Sequence, residues 1–503
     1  MKKIIQGSLL FAAVIIGFSS CSKKLDRYPY STIELSQSFK TMKDALAYNN
    51  GIMSGVKGKL YGIFTFSQDV QGDQLNASLD YGNRNGSPHR WGTSFLADDY
   101  TIRDTWSGYY FTLKNVNAAI AGYPLITPSP TVAGEVDSMK RYMGSAYLSR
   151  AFIYSELIIR FAKPYEPATA ATDPGVPLVL TYNPTDQPAR STVKQVYDQI
   201  IADINQAKTY LAGFVGAKGS TRFTLHAAKA LEARVRLNMQ DWAGAKAAAE
   251  DVISSGTYPL YTTAAGLLSM WRDDAVQETI TQPATSKPNE LPNANNIYLG
   301  LVPSTGKFTP DFIPSQWVVD KYAATDIRKG VYFAQKNLTI SGGDYPNIWL
   351  VNKFQGNPLL FTGATTNYMH APKMFRVAEL YLISAEAGYR LGVASEPAAL
   401  SRLNDLRVAR GLPVVAAAGT ALFTEIKDER FRELAFEGFR LWDLKRWHEG
   451  FTRSGAQNLN IIQVGPSYNT LVIAPNDNKF VWAIPSNDMT TNPNLAGAQN
   501  PGW

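Results

Sequence analysis

Cysteine is almost missing from this 503-residue chain: Cys21 is its sole example, so no intrachain disulfide can form. Histidine is scarce as well. His89, His226, His370 and His448 stand far apart, without an HExxH or a cysteine pair, so no metal site is expected. There is no Walker loop, no GxGxxG between a strand and a helix, and no GxSxG elbow, and no cofactor is expected either. Glycoside hydrolysis needs two carboxylates facing each other across the bond. The adjacent pairs Asp98-Asp99 and Asp273-Asp274 read instead as caps and loop groups, and no catalytic residue is assigned. The formal charge of +7 includes Lys2 and Lys3 and is spread among acids, with no polybasic run. That argues against a nucleic-acid partner. Beyond residue 21 no apolar run is long enough to cross a bilayer.

What is present begins with a targeting segment over residues 1–20. Lys2 and Lys3 form a positive start, Ser8 to Phe18 a short apolar run, and Ser19-Ser20 a small-residue pair before Cys21. The lone cysteine behind such a leader reads as a lipid-attachment site, and several acyl chains there would give stable anchoring. Phe18 departs from the leucine usual at the third position before that cysteine.

Helical periodicity dominates the remainder. Helices are expected over Leu35–Val56, Thr101–Gly122, Val136–Phe161, Val193–Ala212, Leu225–Asn238, Trp242–Ser254, Arg376–Leu391, Ala398–Arg410 and Phe423–Trp447. Two pairs, 225–238 with 242–254 and 376–391 with 398–410, read as antiparallel hairpins; Ala245, Ala248, Ala249 and Ala385 permit close packing. Tyr61–Trp91 and Gly256–Ala371 lack helical period and are rich in Gly, Pro, Asn, Ser and aromatics. Loops of that length are usually functional or disordered, and their aromatics favour order. The fold class is therefore mainly α: a tetratricopeptide-like helical scaffold with a loop-rich, partly β insertion lobe. As a single unit over 21–503, its scaffold covers about 35–255 and 372–450. The lobe covers about 58–100 and 256–371, and an extended tail covers 451–503.

The stretch Asp428–Trp447, DERFRELAFEGFRLWDLKRW, carries ten charged and five aromatic residues, mixed rather than sorted onto two faces. Its charges must be paired as it packs, because an unpaired buried charge is very costly. Helical spacing offers Asp428 with Arg432, Glu437 with Arg440, and Asp443 with Arg446. This stretch resembles the C-terminal hallmark of the SusD/RagB family, surface nutrient-binding lipoproteins of Bacteroidetes. Three more segments are similar to that family: Phe375–Gly411, the tail VWAIPSNDMTTNPNLAGAQNPGW over Val481–Trp503, and the start CSKKLDRYPYSTI from Cys21. The resemblance implies an outer-membrane, lipid-anchored protein facing the cell exterior. It would capture oligosaccharide without catalysis and deliver it to a SusC-like TonB-dependent transporter. A peptide cargo, as in the RagB branch, and a purely structural adaptor are the alternatives. Ser-Lys-Lys-Leu-Asp after Cys21 is less acidic than the export tags often found in that phylum.

A sugar ring offers flat C–H faces to aromatic rings and hydroxyls to fixed polar groups. The segment Gln68–Trp91 has that mixture in Asp69, Asp73, Gln74, Asn76, Asp80, Tyr81, Asn83, Arg84 and Trp91; a second group is Tyr298, Trp317, Tyr345 and Trp349. The expected ligand-binding residues are Asp69, Asp73, Asn76, Tyr81, Arg84, Trp91, Tyr298, Trp317 and Trp349. The family resemblance supports the two regions and no individual contact. Trp106, Tyr109, Tyr110, Trp242 and Trp447 read as core, and Trp271 fits either role.

Overall fold

The computed structural model describes residues 38–181, 183, 185–287 and 297–503. Cys21, the leader and the first residues of the helix expected from Leu35 lie outside them. The longer helices are α1 (Met42–Gly58), α2 (Ile63–Gln71), α3 (Tyr100–Gly122), α4 (Ala133–Phe161), α5 (Val193–Leu211) and α6 (Leu225–Asn238). They continue with α7 (Trp242–Ser254), α8 (Ala264–Arg272), α9 (Val377–Arg390), α10 (Glu396–Ala409), α11 (Gly419–Leu434) and α12 (Arg440–Trp447). Polar caps explain several starts. Thr41 and Asp44 form a capping box on α1, as do Thr192 and Gln195 on α5, and Asp99 accepts from Thr101 N at 2.8 Å.

The two expected hairpins are present. Gln240 turns with φ +59°, and Asp241 accepts from Gly244 N at 2.9 Å to open α7. Ala245 and Ala249 are wholly buried under α6. In the second pair Gly388 lets α9 approach α10 so closely that a Cβ there would lie 3.1 Å from that of Ala399. The hairpins join through Glu250 of α7, which accepts from Arg402 Nη2 at 2.8 Å and from Ser384 Oγ at 2.5 Å.

The lobe carries a four-stranded sheet of Leu301–Val302, Lys307–Phe308, Phe333–Ile340 and Gly343–Val351. Its neighbours are antiparallel except for the parallel pairing of Lys307–Phe308 with Phe333–Ile340. Short antiparallel pairs stitch distant segments together: Leu75–Ala77 with Phe312–Pro314, and Phe375–Arg376 with Thr279–Thr281. The first ties the segment after α2 to the lobe, and the second seats the lobe beside α9.

Three expectations need correction. The segment from Tyr61 to Trp91 contains α2, and the lobe region contains α8, where aromatics and glycines had masked the helical period. The stretch Phe423–Trp447 is two helices. It breaks after Leu434, where Phe436 (φ +63°) and Gly438 (φ +80°) adopt left-handed backbone. The break also redirects the ion pairs. Asp443 does meet Arg446, at 3.1 Å, but Arg432 pairs with Glu429, Asp428 with Lys321, and Arg440 with Asp73. Glu437 pairs with Arg376 and Lys353.

Beneath the break lies a dry charge cluster. Glu433 accepts from Arg410, Arg376 and Arg328, while Glu278, Glu429 and Asp326 hold the outer faces of those arginines. All but Arg376, which is 2% exposed, have side chains fully out of solvent. A second pair joins Arg446 of α12 to Glu386 of α9, which also accepts from Trp447 Nε1 at 2.9 Å. Burial alone would raise the Glu386 pKa, yet Arg446 and Trp447 bring it down to about 2. A depressed carboxylate contributes stability that is complete above its unfolded value, near 4.5, and lost as pH falls toward 2. Urea midpoints between pH 6 and pH 2 should therefore fall by an amount equivalent to roughly 3 kcal/mol from this group. The variant Glu386→Gln should flatten that acid limb; an unchanged slope would remove Glu386 from the account.

Candidate functional site

The turn before α2, the faces of α4 and α6, the lobe and the α11–α12 break enclose one cavity of about 170 Å³. At 10–15 Å³ per water that is room for on the order of ten waters, below the roughly 300–1,000 Å³ of pockets for drug-sized ligands. Its walls are aromatic. Tyr61, Phe64 and Phe66 come from the start of α2, Trp271, Tyr298 and Phe354 from the lobe, and Phe439 from the break. Phe354 is half-buried, and its ring stacks with Tyr298 at 5.8 Å and with His370 at 5.6 Å.

Polar groups converge among these rings. His370 is buried, and burial drives its imidazole down to about 4, so the ring is neutral at pH 7. Nδ1 lies 3.0 Å from the Tyr368 carbonyl. A neutral ring must donate there, leaving Nε2 as an acceptor. Tyr61 OH donates to the His370 carbonyl at 2.5 Å, fixing that loop to the turn before α2. Gln68, Asn238, Glu156 and Lys59 add amide, carboxylate and ammonium groups.

Behind the wall, Asp69 is wholly buried and accepts from Gly438 N at 3.2 Å and Tyr298 OH at 3.3 Å. Burial outweighs both bonds and lifts its pKa to about 8, so a neutral carboxyl props Tyr298 at pH 7. Gly438 is required at that spot: its φ is +80°, and a Cβ would lie 2.9 Å from the Thr65 carbonyl oxygen.

Of the expected binding residues, the structure brings Tyr298 to the cavity and places the others in supporting positions. Trp91 is 7% exposed, its Nε1 donates to the Gln71 carbonyl at 2.7 Å, and Phe451 and Phe480 close its faces. Tyr81 is buried, with its hydroxyl against Tyr468, Asn83 and Arg90. Asp73 holds Arg440 at 2.8 Å, and Asn76 donates to Ser315 Oγ at 2.8 Å. Arg84 clamps Asp311. Trp317 leans on Phe431 and Trp349 packs against the same lobe core. The expected open platform at Trp91 and Tyr81 is therefore corrected to a tertiary joint, because these side chains are consumed in tying the N-terminal segment to the lobe and tail.

Sequence reasoning missed Lys59, Phe64, Phe66, Phe354 and Phe439. The one signal available was the aromatic cluster Tyr61, Phe64, Phe66 beside Gly62. Trp271, which fitted either role, is 3% exposed and forms part of the wall.

A helical-repeat scaffold that carries a lobe and leaves a ring-lined cavity at their junction defines a ligand-binding protein. Comparison with known sequences then places it. The model of the SusD family matches residues 315–503, and one described as "Starch-binding associating with outer membrane" matches residues 25–237. The chain belongs to the SusD/RagB family. A SusD-like protein, P38 of Formosa agariphila, is 24% identical over 91% of this chain and 94% of its own. Among solved structures, a SusD superfamily protein from Bacteroides thetaiotaomicron superposes with a TM-score of 0.76 at 23% identity, covering 92% of this chain and all of that one. Surface glycan-binding protein A from Bacteroides fluxus does so with a TM-score of 0.67 at 20% identity, over the same shares. Among the described residues no helix is long and apolar enough to cross a membrane.

Proposed function

We propose that the chain is a cell-surface binding protein, anchored to the outer membrane by lipid on Cys21, that captures oligosaccharide. It delivers that cargo to a SusC-like TonB-dependent transporter without breaking a bond. The observation that carries this reading is the cavity itself: half-buried ring faces stand beside fixed donors and acceptors, the pairing a sugar needs. The starch-binding description of one matching family and the glycan-binding name of the Bacteroides fluxus protein support a saccharide cargo. Phe354, Phe66 and Phe64 supply stacking faces, backed by buried Tyr298 and Gln68, and Asn238 and His370 Nε2 take the hydroxyls. Asp69, Asp73, Asn76, Tyr81, Arg84 and Trp91 hold the walls in place.

A glycan array should show binding to one polysaccharide class, and Phe354→Ala should weaken it about tenfold or more, as loss of a central aromatic anchor does. The variant's melting curve guards against a folding defect. Binding of peptides in place of any glycan would replace the cargo with a peptide, and unchanged affinity in a folded Phe354→Ala variant would move the site elsewhere.

A further inference from the structure

The polar groups around the cavity fall into two sets. Trp271 Nε1, Trp442 Nε1 and Arg430 Nη1 have no partner among the described residues, but each atom is sealed from solvent and out of reach of a ligand in the cavity. The charged groups on the wall are within reach of one.

Charge bookkeeping on the wall leaves one group over. Among the described residues every lining carboxylate has a cation: Asp443 has Arg430 at 2.7 Å, Glu156 has Arg160 at 2.6 Å, and Glu437 has Arg376 and Lys353. Two lining cations are neutralised in turn, Arg234 by Glu379 at 2.7 Å and Lys373 by Asp274 at 2.6 Å. Lys59 has no carboxylate within ion-pair distance among the described residues. It is half-buried, with Nζ 4.6 Å from the centroid of the Phe64 ring. Burial lowers the Lys59 pKa, a penalty that a bound anion would offset.

Resting on the saccharide reading above, we infer that the cavity takes an acidic sugar, a uronate, whose carboxylate pairs with Lys59 while its ring stacks on the aromatic wall. A carboxylate supplies the counter-charge that the half-buried Lys59 ammonium lacks. A neutral hexose can accept a hydrogen bond from the ammonium through a hydroxyl, but it brings no counter-charge. An acidic peptide shares the carboxylate but has no rigid ring face for Phe64 and Phe354.

The test is titration calorimetry of the full chain with a panel of uronate oligomers, neutral oligomers of the same length, and acidic peptides. Uronates should bind at least tenfold more tightly than neutral oligomers, with an affinity that falls between 20 mM and 500 mM salt. Lys59→Met should cost about tenfold, the order of a half-exposed charge-assisted hydrogen bond, and flatten the salt dependence. Lys59→Arg should keep most of the affinity, and both variants should melt with the parent. Neutral oligomers matching or exceeding uronates, or uronate affinity indifferent to Lys59→Met, would overturn this inference and leave saccharide capture standing. Acidic peptides binding in place of every sugar, or no sugar binding at all, would overturn both.

Discussion

Glu433→Ala should destabilise the chain by about 3–5 kcal/mol, the range for removing one partner from a buried ion pair. Glu433 is fully buried and accepts from Arg410 Nε and Nη2 at 2.9 Å, Arg376 Nη1 at 2.8 Å and Arg328 Nη1 at 3.0 Å. Burial alone would push its carboxyl up, but Arg410, Arg376 and Arg328 hold it well below the usual range. Without it, three guanidiniums converge on a buried space that has lost its carboxylate. Glu278, Glu429 and Asp326 still compensate from outside, which keeps the loss finite. Urea denaturation followed by tryptophan fluorescence reads the loss directly, and Glu433→Gln should fall between parent and alanine variant. A loss under about 1 kcal/mol for the alanine variant would mean that the cluster is not a joint of the fold.

Gly438→Val should cost about 2–5 kcal/mol, combining a left-handed backbone with a branched side chain and an overpacked contact. At φ +80° a β-branched residue is strained, and its Cβ would press on the Thr65 carbonyl. Because Gly438 N also donates to Asp69, the break would lose the bond that sets Tyr298. Ligand affinity should therefore fall further than in a surface variant of equal stability. Gly438→Ala should show the same pattern at smaller size. A valine variant as stable as the parent would show that the break can adopt another path.

The scaffold was legible because its signals are local. Helices 225–238 and 242–254 match their expected limits, since capping residues, alanine packing and apolar period all agree. The Phe423–Trp447 break was not, because Gly438 looks tolerable in a helix until Thr65, some 370 residues earlier in the chain, is placed against it. The site failed for a related reason. Exposed ring and buried ring have the same sequence signature, and Trp91 became core once Phe451 and Phe480 arrived from the tail. Tyr298 lies in the cavity wall, 3% exposed. Lys59 carried no sequence signal at all, since only the absence of a spatial partner distinguishes it from any other surface lysine.

The tail does more than cover a surface. Trp482 donates from Nε1 to Gln71 Oε1 at 2.9 Å, and Asn500 donates to both the Phe161 and Trp482 carbonyls. These bonds bridge separations of 411 and 339 residues. Such topology postpones the entropic return on early contacts, the general condition for slow folding. The N-terminal helices cannot seal their shared core while residues near 482 are still being synthesised.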